Sequence, residues 1–463
     1  MKKIYGKKFL CAIVAVALLL GIATPALAVP TQRNNGPPMD VSFYLEAALG
    51  RLVNSVPMPG FGTIAGEWTV LALARGDRSV PAGYFEGYLE NIRTMIRGLA
   101  EHNDPNNPDA GWVLNPATNR REVRLGNAVQ STENARLVVA LTALGVDASN
   151  FVVDGHSYDL MSVLNNRESY SSMAMYGERQ GINGPIWSQI ALNSRSWANP
   201  YRPSDRRWAG GTTASNPVTD AARIQWILDV QLNNGGWDLG NHSPGHAPHL
   251  AADPDMTAMA LQALAPHRDL PGVEAATQRA LAELSRTQLP NGGWSGSGLW
   301  GADNVQSPAQ VVVALTSLGI DPVNDARFVK PGGNPVSTML RFFDPATGGF
   351  IHTGGDSLMA TDQATYALVA YDRFVRERAS LYNMYDANLD FRNPHVIPGG
   401  GQGGLPGDIN GDGVVNDLDV MALRLYLLGM DDNVVDFVAL DVNGDGVVND
   451  LDVVALRLIL LGL

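Results

Sequence analysis

The 463 residues are 45% apolar and 17% charged, which excludes a disordered chain and leaves room for several folded cores. The net charge of −13 argues against a nucleic-acid or anionic-membrane surface as the principal partner. The acid is unevenly placed: residues 408–463 hold eleven Asp and no Glu against two Arg, Arg424 and Arg457.

The chain opens with Lys2, Lys3, Lys7 and Lys8, an apolar run from Phe9 to Ile22, and Ala26-Leu27-Ala28. A basic start, an apolar middle and a small-residue cleavage site predict an export signal over 1–28 and a secreted product. Cys11, the only cysteine, lies inside that segment. Cleavage after Ala28 excludes disulfides, cysteine-ligated metals and cysteine nucleophiles from the mature chain. Lys330 is the only lysine beyond the signal, which disfavours Schiff-base chemistry. No later segment reaches the ~18 apolar residues of a membrane span.

From about 40 to 386 the sequence repeats. Apolar helices rich in small residues are predicted at Glu67–Ala74, Ser131–Leu144, Gly184–Leu192, Asp255–Leu264, Ser307–Leu318 and Asp362–Ala370. Ser131-Thr-Glu-Asn-Ala-Arg-Leu-Val-Val-Ala-Leu-Thr-Ala-Leu-Gly and Ser307-Pro-Ala-Gln-Val-Val-Val-Ala-Leu-Thr-Ser-Leu-Gly are near copies. Three of the six follow turns, Asn234-Gly-Gly-Trp237, Asn291-Gly-Gly-Trp294 and Thr347-Gly-Gly-Phe350. Their glycines supply positive φ, and the aromatic is expected to staple each turn against the helix that follows. Helices apolar nearly all round belong inside an assembly, with amphipathic ones such as Ala222–Val230 and Ala275–Leu284 outside. Strand alternation is scarce, so the fold class is all-α, six inner helices against about six outer ones.

Aligned on their Ala-Leu pairs, the inner helices place Glu67, Asp255 and Asp362 in one slot. Trp68, Arg136, Trp187, Met256, Gln310 and Gln363 fill the next. Carboxylates, aromatics and amides at the mouth of a cavity suit a sugar, and two carboxylates flanking a glycosidic bond supply an acid and a nucleophile or base. Glu67, Asp255 and Asp362 are therefore the candidate catalytic residues. A structural alternative exists, since acids at helix N-termini cap free N–H groups and complement the dipole. Ahead of Asp253 and Asp255, His242, His246 and His249 sit in a Pro/Gly loop without the helical register that would argue for a metal site.

A Gly/Pro-rich stretch over 387–407 reads as a linker. Beyond it, Asp408-Ile-Asn-Gly-Asp-Gly-Val-Val-Asn-Asp-Leu-Asp419 recurs as Asp441-Val-Asn-Gly-Asp-Gly-Val-Val-Asn-Asp-Leu-Asp452. Each copy sets oxygen side chains at loop positions 1, 3, 5, 9 and 12 with Gly at 6, the spacing that converges hard ligands on calcium. The expected ligands are Asp408, Asn410, Asp412, the Val414 carbonyl, Asn416 and Asp419, then Asp441, Asn443, Asp445, the Val447 carbonyl, Asn449 and Asp452. Two calcium ions are expected, and no cofactor is indicated for the region before the linker. Only Gly399-Gly-Gly-Gln-Gly-Gly-Leu-Pro406 leads into Asp408, so the helix that precedes an EF-hand loop is missing, whereas an apolar helix follows each copy.

Loop plus trailing helix, twice, resembles a type I dockerin over 408–463. That resemblance implies folding coupled to calcium, and a cohesin domain of a scaffoldin as partner. It further implies contacts through Asp417, Leu418 and Arg424 in one copy and Asp450, Leu451 and Arg457 in the other, in either of two orientations. The six-fold repeat, over roughly 60–375, resembles the α/α toroid of squalene and terpene cyclases, protein prenyltransferases and vitamin B12 carriers. The cyclases' acid cluster Asp-x-Asp-Asp-Thr reads here Asp253-Pro-Asp255-Met256-Thr257, with Met256 in place of the third Asp. That departure argues against cyclase chemistry, because neighbouring carboxylates hold the acid's proton. The chain is thus expected to be a signal peptide (1–28), a toroid (29–386), a linker (387–407) and a dockerin (408–463). It would be secreted, associated with a cellulosome, and would present the toroid to plant polysaccharide for binding or processing. The alternatives are a non-enzymatic carrier of a small apolar or cobalamin-like ligand, and a glycoside hydrolase or lyase.

Overall fold

The computed structural model describes residues 36–99, 101, 111–116, 119–124, 131–161, 164, 182–195, 220–238, 251–295, 303–352, 355–387, 409, 417–427, 440, 442 and 450–460. The export signal, the linker beyond Ala387 and the three-histidine loop lie outside these residues. In chain order the helices are α1 (Ser42–Ser55), α2 (Trp68–Arg75), α3 (Tyr84–Arg97), α4 (Ser131–Ala143), α5 (Asn183–Ser194), α6 (Asp220–Asp229) and α7 (Pro254–Leu264). They continue with α8 (Val273–Thr287), α9 (Gln306–Ser317), α10 (Pro335–Leu340), α11 (Leu358–Val375), α12 (Asp417–Leu427) and α13 (Asp450–Leu460).

Helices α2, α4, α5, α7, α9 and α11 form a closed ring. Each packs on the next in that order, and α11 packs back onto α2. All six contain the segments expected to be inner helices. Their burial explains the sequence: every residue of α9 from Gln306 to Thr316 is buried, and so is every residue of α11 from Ala360 to Tyr371. A helix enclosed on all sides cannot be amphipathic, and Ala at the crossings lets neighbouring axes approach. Around the ring, α1 packs on α11 and α2, α6 on α5, α8 on α7 and α10 on α9. These outer helices bury one stripe only; α8 buries Val273, Ala276, Thr277, Ala280, Leu281, Glu283 and Leu284 and leaves the rest to water. The architecture is an α/α toroid.

Between α3 and α5 the chain adds β1 (Gly111–Asn115), β2 (Arg120–Arg124), β3 (Phe151–Val153) and β4 (His156–Asp159), joined in the order β1-β2-β4-β3. A second sheet, β5 (Phe343–Asp344), β6 (Gly349–His352) and β7 (Gly355–Asp356), precedes α11. These strands are too short to show a period in sequence, which is why alternation did not reveal them.

The Gly-Gly-Trp turns connect outer to inner helices, and the staple runs in both directions. Trp237 and Trp294 are fully buried, and their indole N–H groups donate back to the preceding outer helix, to the Ile227 carbonyl at 2.7 Å and the Leu284 carbonyl at 2.9 Å. The link to the following helix, where the aromatic was expected to act, is made instead by backbone. The Trp237 N–H donates to Thr257 Oγ1 and the Phe350 N–H to Thr361 Oγ1. Gly235 has φ +96, and a Cβ there would meet the Arg279 carbonyl at 2.6 Å, so only glycine closes the turn.

A single apolar core runs through the toroid from Val41 to Ala387. A separate small core of Ile409, Val420, Leu423, Leu440, Val453 and Leu456 joins α12 to α13. Among the described residues, Ala422, Leu427, Val442 and Leu460 pack against this core from its edge.

Candidate functional site

The N-terminal halves of the inner helices bring the second predicted slot together in the ring interior. The Arg136 guanidinium of α4 lies between two indoles, 5.4 Å from the Trp68 ring of α2 and 5.7 Å from the Trp187 ring of α5. On the far side, Gln310 of α9 donates to Gln363 Oε1 of α11 at 3.1 Å and to the Tyr366 hydroxyl at 2.5 Å. Tyr366 in turn packs on Trp68 with centroids 6.3 Å apart. Met256, on α7, is buried as well.

Glu67 and Asp362 are buried at this level, Asp255 is half-buried with its Oδ1 enclosed, and none of the three is paired with another by direct contact. Glu67 ends a tight loop in which Gly66 passes the Gly60 carbonyl too closely to carry a Cβ, at 2.7 Å. Its carboxylate accepts from the Gly62 N–H at 3.0 Å and from the Tyr88 hydroxyl at 3.3 Å. Burial raises its pKa to about 8, against the opposing pull of these donors and of Arg136. Asp362 accepts from Thr69 Oγ1 at 2.6 Å, and burial lifts it to about 7. Asp255 has an Oδ1 with no hydrogen-bond partner; burial first, then the charge of Asp253, pushes it upward, with the nearby Ser307 hydroxyl opposing.

None of the three is a helix cap. The cap of α7 is Asp253, which accepts from the Met256 N–H at 2.9 Å, and the cap of α11 is Ser357. Glu67 precedes α2 without capping it through its side chain. Side-chain capping is thus made by neither Glu67, Asp255 nor Asp362, whereas Asp255, in the first turn of α7, still complements the helix dipole. Carboxyls held neutral near pH 7 in a polar interior can donate a proton, as a general acid must.

Tyr382 completes the interior from outside the repeat. Residues 379–387 form a strap across the C-terminal ends of α2, α5 and α11. Arg75 Nε donates to the Leu381 carbonyl, Arg373 Nε to the Ala379 carbonyl, and both guanidiniums bind Asp386. The Met384 N–H donates to the Ser194 carbonyl, and Arg195 to that of Ala387, which is buried although sequence placed it at the start of the linker. The strap sets the Tyr382 ring 6.2 Å from Trp187. Tyr366 was within reach of sequence reasoning, one turn beyond Asp362 on the same helix. Tyr382 was not, since nothing periodic points to it.

In the tail, Asp419 and Asp452 are fully buried at the same loop position, and Asp419 Oδ1 accepts from the Ile409 N–H at 2.8 Å. That bond draws the twelfth residue of the loop against its second, as a closed oxygen-lined loop requires, and the donor set suits a hard cation. The other ten expected ligands lie outside the described residues. Asp417 and Leu418 open α12, Asp450 and Leu451 open α13, and Arg424 and Arg457 are exposed on those helices. Among the described residues no helix is long and apolar enough to cross a membrane.

No curated protein sequence matches the chain. Among solved structures, similarity extends to the type II terpene cyclase MstE from Scytonema, at 13% identity over 72% of this chain and 99% of that one, with a TM-score of 0.38. It also extends to ent-copalyl diphosphate synthase from Streptomyces platensis, at 17% identity over 71% of this chain and 50% of that one, with a TM-score of 0.36. Residues 406–461 match the dockerin type I domain, so the chain carries a docking module of the class that binds calcium and implies a cohesin partner in a cellulosome.

Proposed function

We propose that the chain is a secreted cellulosome component whose dockerin holds two calcium ions and whose toroid binds or processes plant polysaccharide. The domain division is that read from sequence, with an export signal over 1–28, the toroid to 386 and the dockerin from 408. In the dockerin, Asp408, Asn410, Asp412, the Val414 carbonyl, Asn416 and Asp419 would hold one ion, and Asp441, Asn443, Asp445, the Val447 carbonyl, Asn449 and Asp452 the other. Bound calcium supplies charge that orders the loops; loop positions 10 and 11 with an arginine on the helix that follows, Asp417, Leu418 and Arg424 or Asp450, Leu451 and Arg457, then face the cohesin.

One observation carries the sugar reading: the ring interior is lined by aromatic faces and by buried polar atoms without partners. Among the described residues, Trp68 Nε1, Arg136 Nε, the Tyr382 hydroxyl, Asp255 Oδ1 and Gln306 Oε1 have no hydrogen-bond partner. An unpaired buried polar atom costs about 1–3 kcal/mol, so such a lining favours a hydroxyl-rich ligand over the apolar cargo of a carrier. Asp255, Glu67 and Asp362 are the candidate proton donors for cleavage. The test is a plant-polysaccharide panel read by affinity electrophoresis and by release of reducing ends. Binding without release identifies a binding module. Release that survives in Asp255→Asn excludes Asp255 as the acid. A co-purifying lipid or chromophore, with no glycan bound, overturns the reading in favour of a carrier.

A further inference from the structure

Three of the partnerless atoms in the ring interior are hydrogen donors, and they sit around one cation. Arg136 Nε, Trp68 Nε1 and the Tyr382 hydroxyl come from α4, α2 and the strap, and are brought together by the Arg136–Trp68, Arg136–Trp187 and Trp187–Tyr382 contacts. The Trp68 and Tyr382 side chains are only 8% and 6% exposed, so bulk water does not satisfy them.

Among the described residues no carboxylate forms an ion pair with Arg136. The ionisable groups that face it are Glu67, Glu133, Tyr366 and Tyr382. Glu67 spends its oxygens on Gly62 and Tyr88. Burial raises the pKa of Glu67 to about 8, which weakens it as a counter-ion at neutral pH, and Glu133 makes no ion pair with Arg136. A half-buried guanidinium between two indoles, its Nε enclosed and two further donors on the side chains packed around it, has no carboxylate partner among the described residues.

We propose that Arg136, Trp68 and Tyr382 form a binding site for an oxyanion carried by the ligand. A carboxylate is the acceptor that N–H and O–H donors beside a guanidinium call for, and indole faces stack on the ring that bears it. The sugar reading then narrows to acidic glycans, those containing uronic acid; that narrowing rests on the proposed function, whereas the anion site does not.

The test is calorimetric titration of the full-length protein in one calcium-containing buffer. The titrants are an oligosaccharide of glucuronic acid, its methyl ester, acetate and inorganic phosphate. The acid is expected to bind and the ester to bind roughly tenfold or more weakly, the loss of a charge-assisted contact. Arg136→Gln should abolish the difference. Trp68→Phe, which keeps a ring and deletes one donor, should weaken the acid several-fold while leaving the circular dichroism unchanged, so the idea stays testable if the arginine variant fails to fold. Arg136-dependent binding of acetate or phosphate with no glycan bound would uphold the anion site and overturn the sugar reading. Equal affinity for acid and ester would overturn the anion site and leave the sugar reading. Binding of none of the four, or a preference that persists in folded Arg136→Gln, would also overturn the anion site.

Discussion

The Thr69 hydroxyl donates to Asp362 Oδ1 at 2.6 Å across 293 residues of chain, and this bond joins the first inner helix to the last where the ring closes. Both side chains are fully buried. Thr69→Val keeps the shape and removes the donor, leaving a buried carboxyl short of a partner. It should cost about 1–3 kcal/mol and lower the urea midpoint of the toroid. A midpoint equal to that of the parent would show that the bond contributes nothing to closure.

Asp386 is the counter-ion of two arginines that are each only 3% exposed on their side chains. Asp386→Ala strands both charges, although Asp386 is itself 38% exposed and the loss is tempered by water. We expect about 2 kcal/mol of destabilisation, concentrated in the strap. Limited proteolysis should cut near 379–387 before the rest of the toroid opens. Uniform resistance across the strap would argue that backbone bonds alone hold it.

Glu67 and Asp362 titrate well above their ordinary values of 4.5 and 3.8, at about 8 and about 7, because burial penalises the charged forms. Between those limits the folded state holds protons that the unfolded state has released, so stability falls as pH rises. The contribution is complete below about pH 4 and is lost as pH climbs through about 7 and then about 8. Chemical denaturation at pH 5 and pH 9 should show the lower midpoint at pH 9. Glu67→Gln should flatten the upper part of that curve. A midpoint that rises with pH would contradict the neutral, buried assignment.

Chelation should separate the two halves of the protein. With its six-residue apolar core, the 408–463 unit is expected to unfold on EDTA and lose cohesin binding, while the toroid keeps its helical signal. Asp419→Ala should reproduce the effect in one loop, since it removes both a proposed ligand and the Ile409 bond. Cohesin affinity unchanged by chelator would sink the calcium dependence.

Much of this was legible in the residues. The six inner helices follow from apolar segments with no polar face, and the turns from Asn-Gly-Gly-Trp. The aligned slot holding Trp68, Arg136, Trp187, Gln310 and Gln363 proves to be a real level of the ring interior. Repeats make such alignment work, because equivalent positions in a closed ring must face the same centre. What the alignment missed lies outside the period. Tyr382 comes from a strap with no repeat partner, and the small strands are two to five residues long.

By itself the sequence determined the doubled Asp/Asn loop of the dockerin and the helical ring, because residue spacing and apolar period are local properties of a chain. It did not determine the state of the acids. Asp253 and Asp255 are two residues apart, yet one caps α7 and the other has an enclosed Oδ1 without a hydrogen-bond partner among the described residues. Only the tertiary structure decided that Asp255 is pushed toward its neutral form. Desolvation depends on what surrounds a carboxyl in space, and those surroundings are assembled from helices hundreds of residues apart.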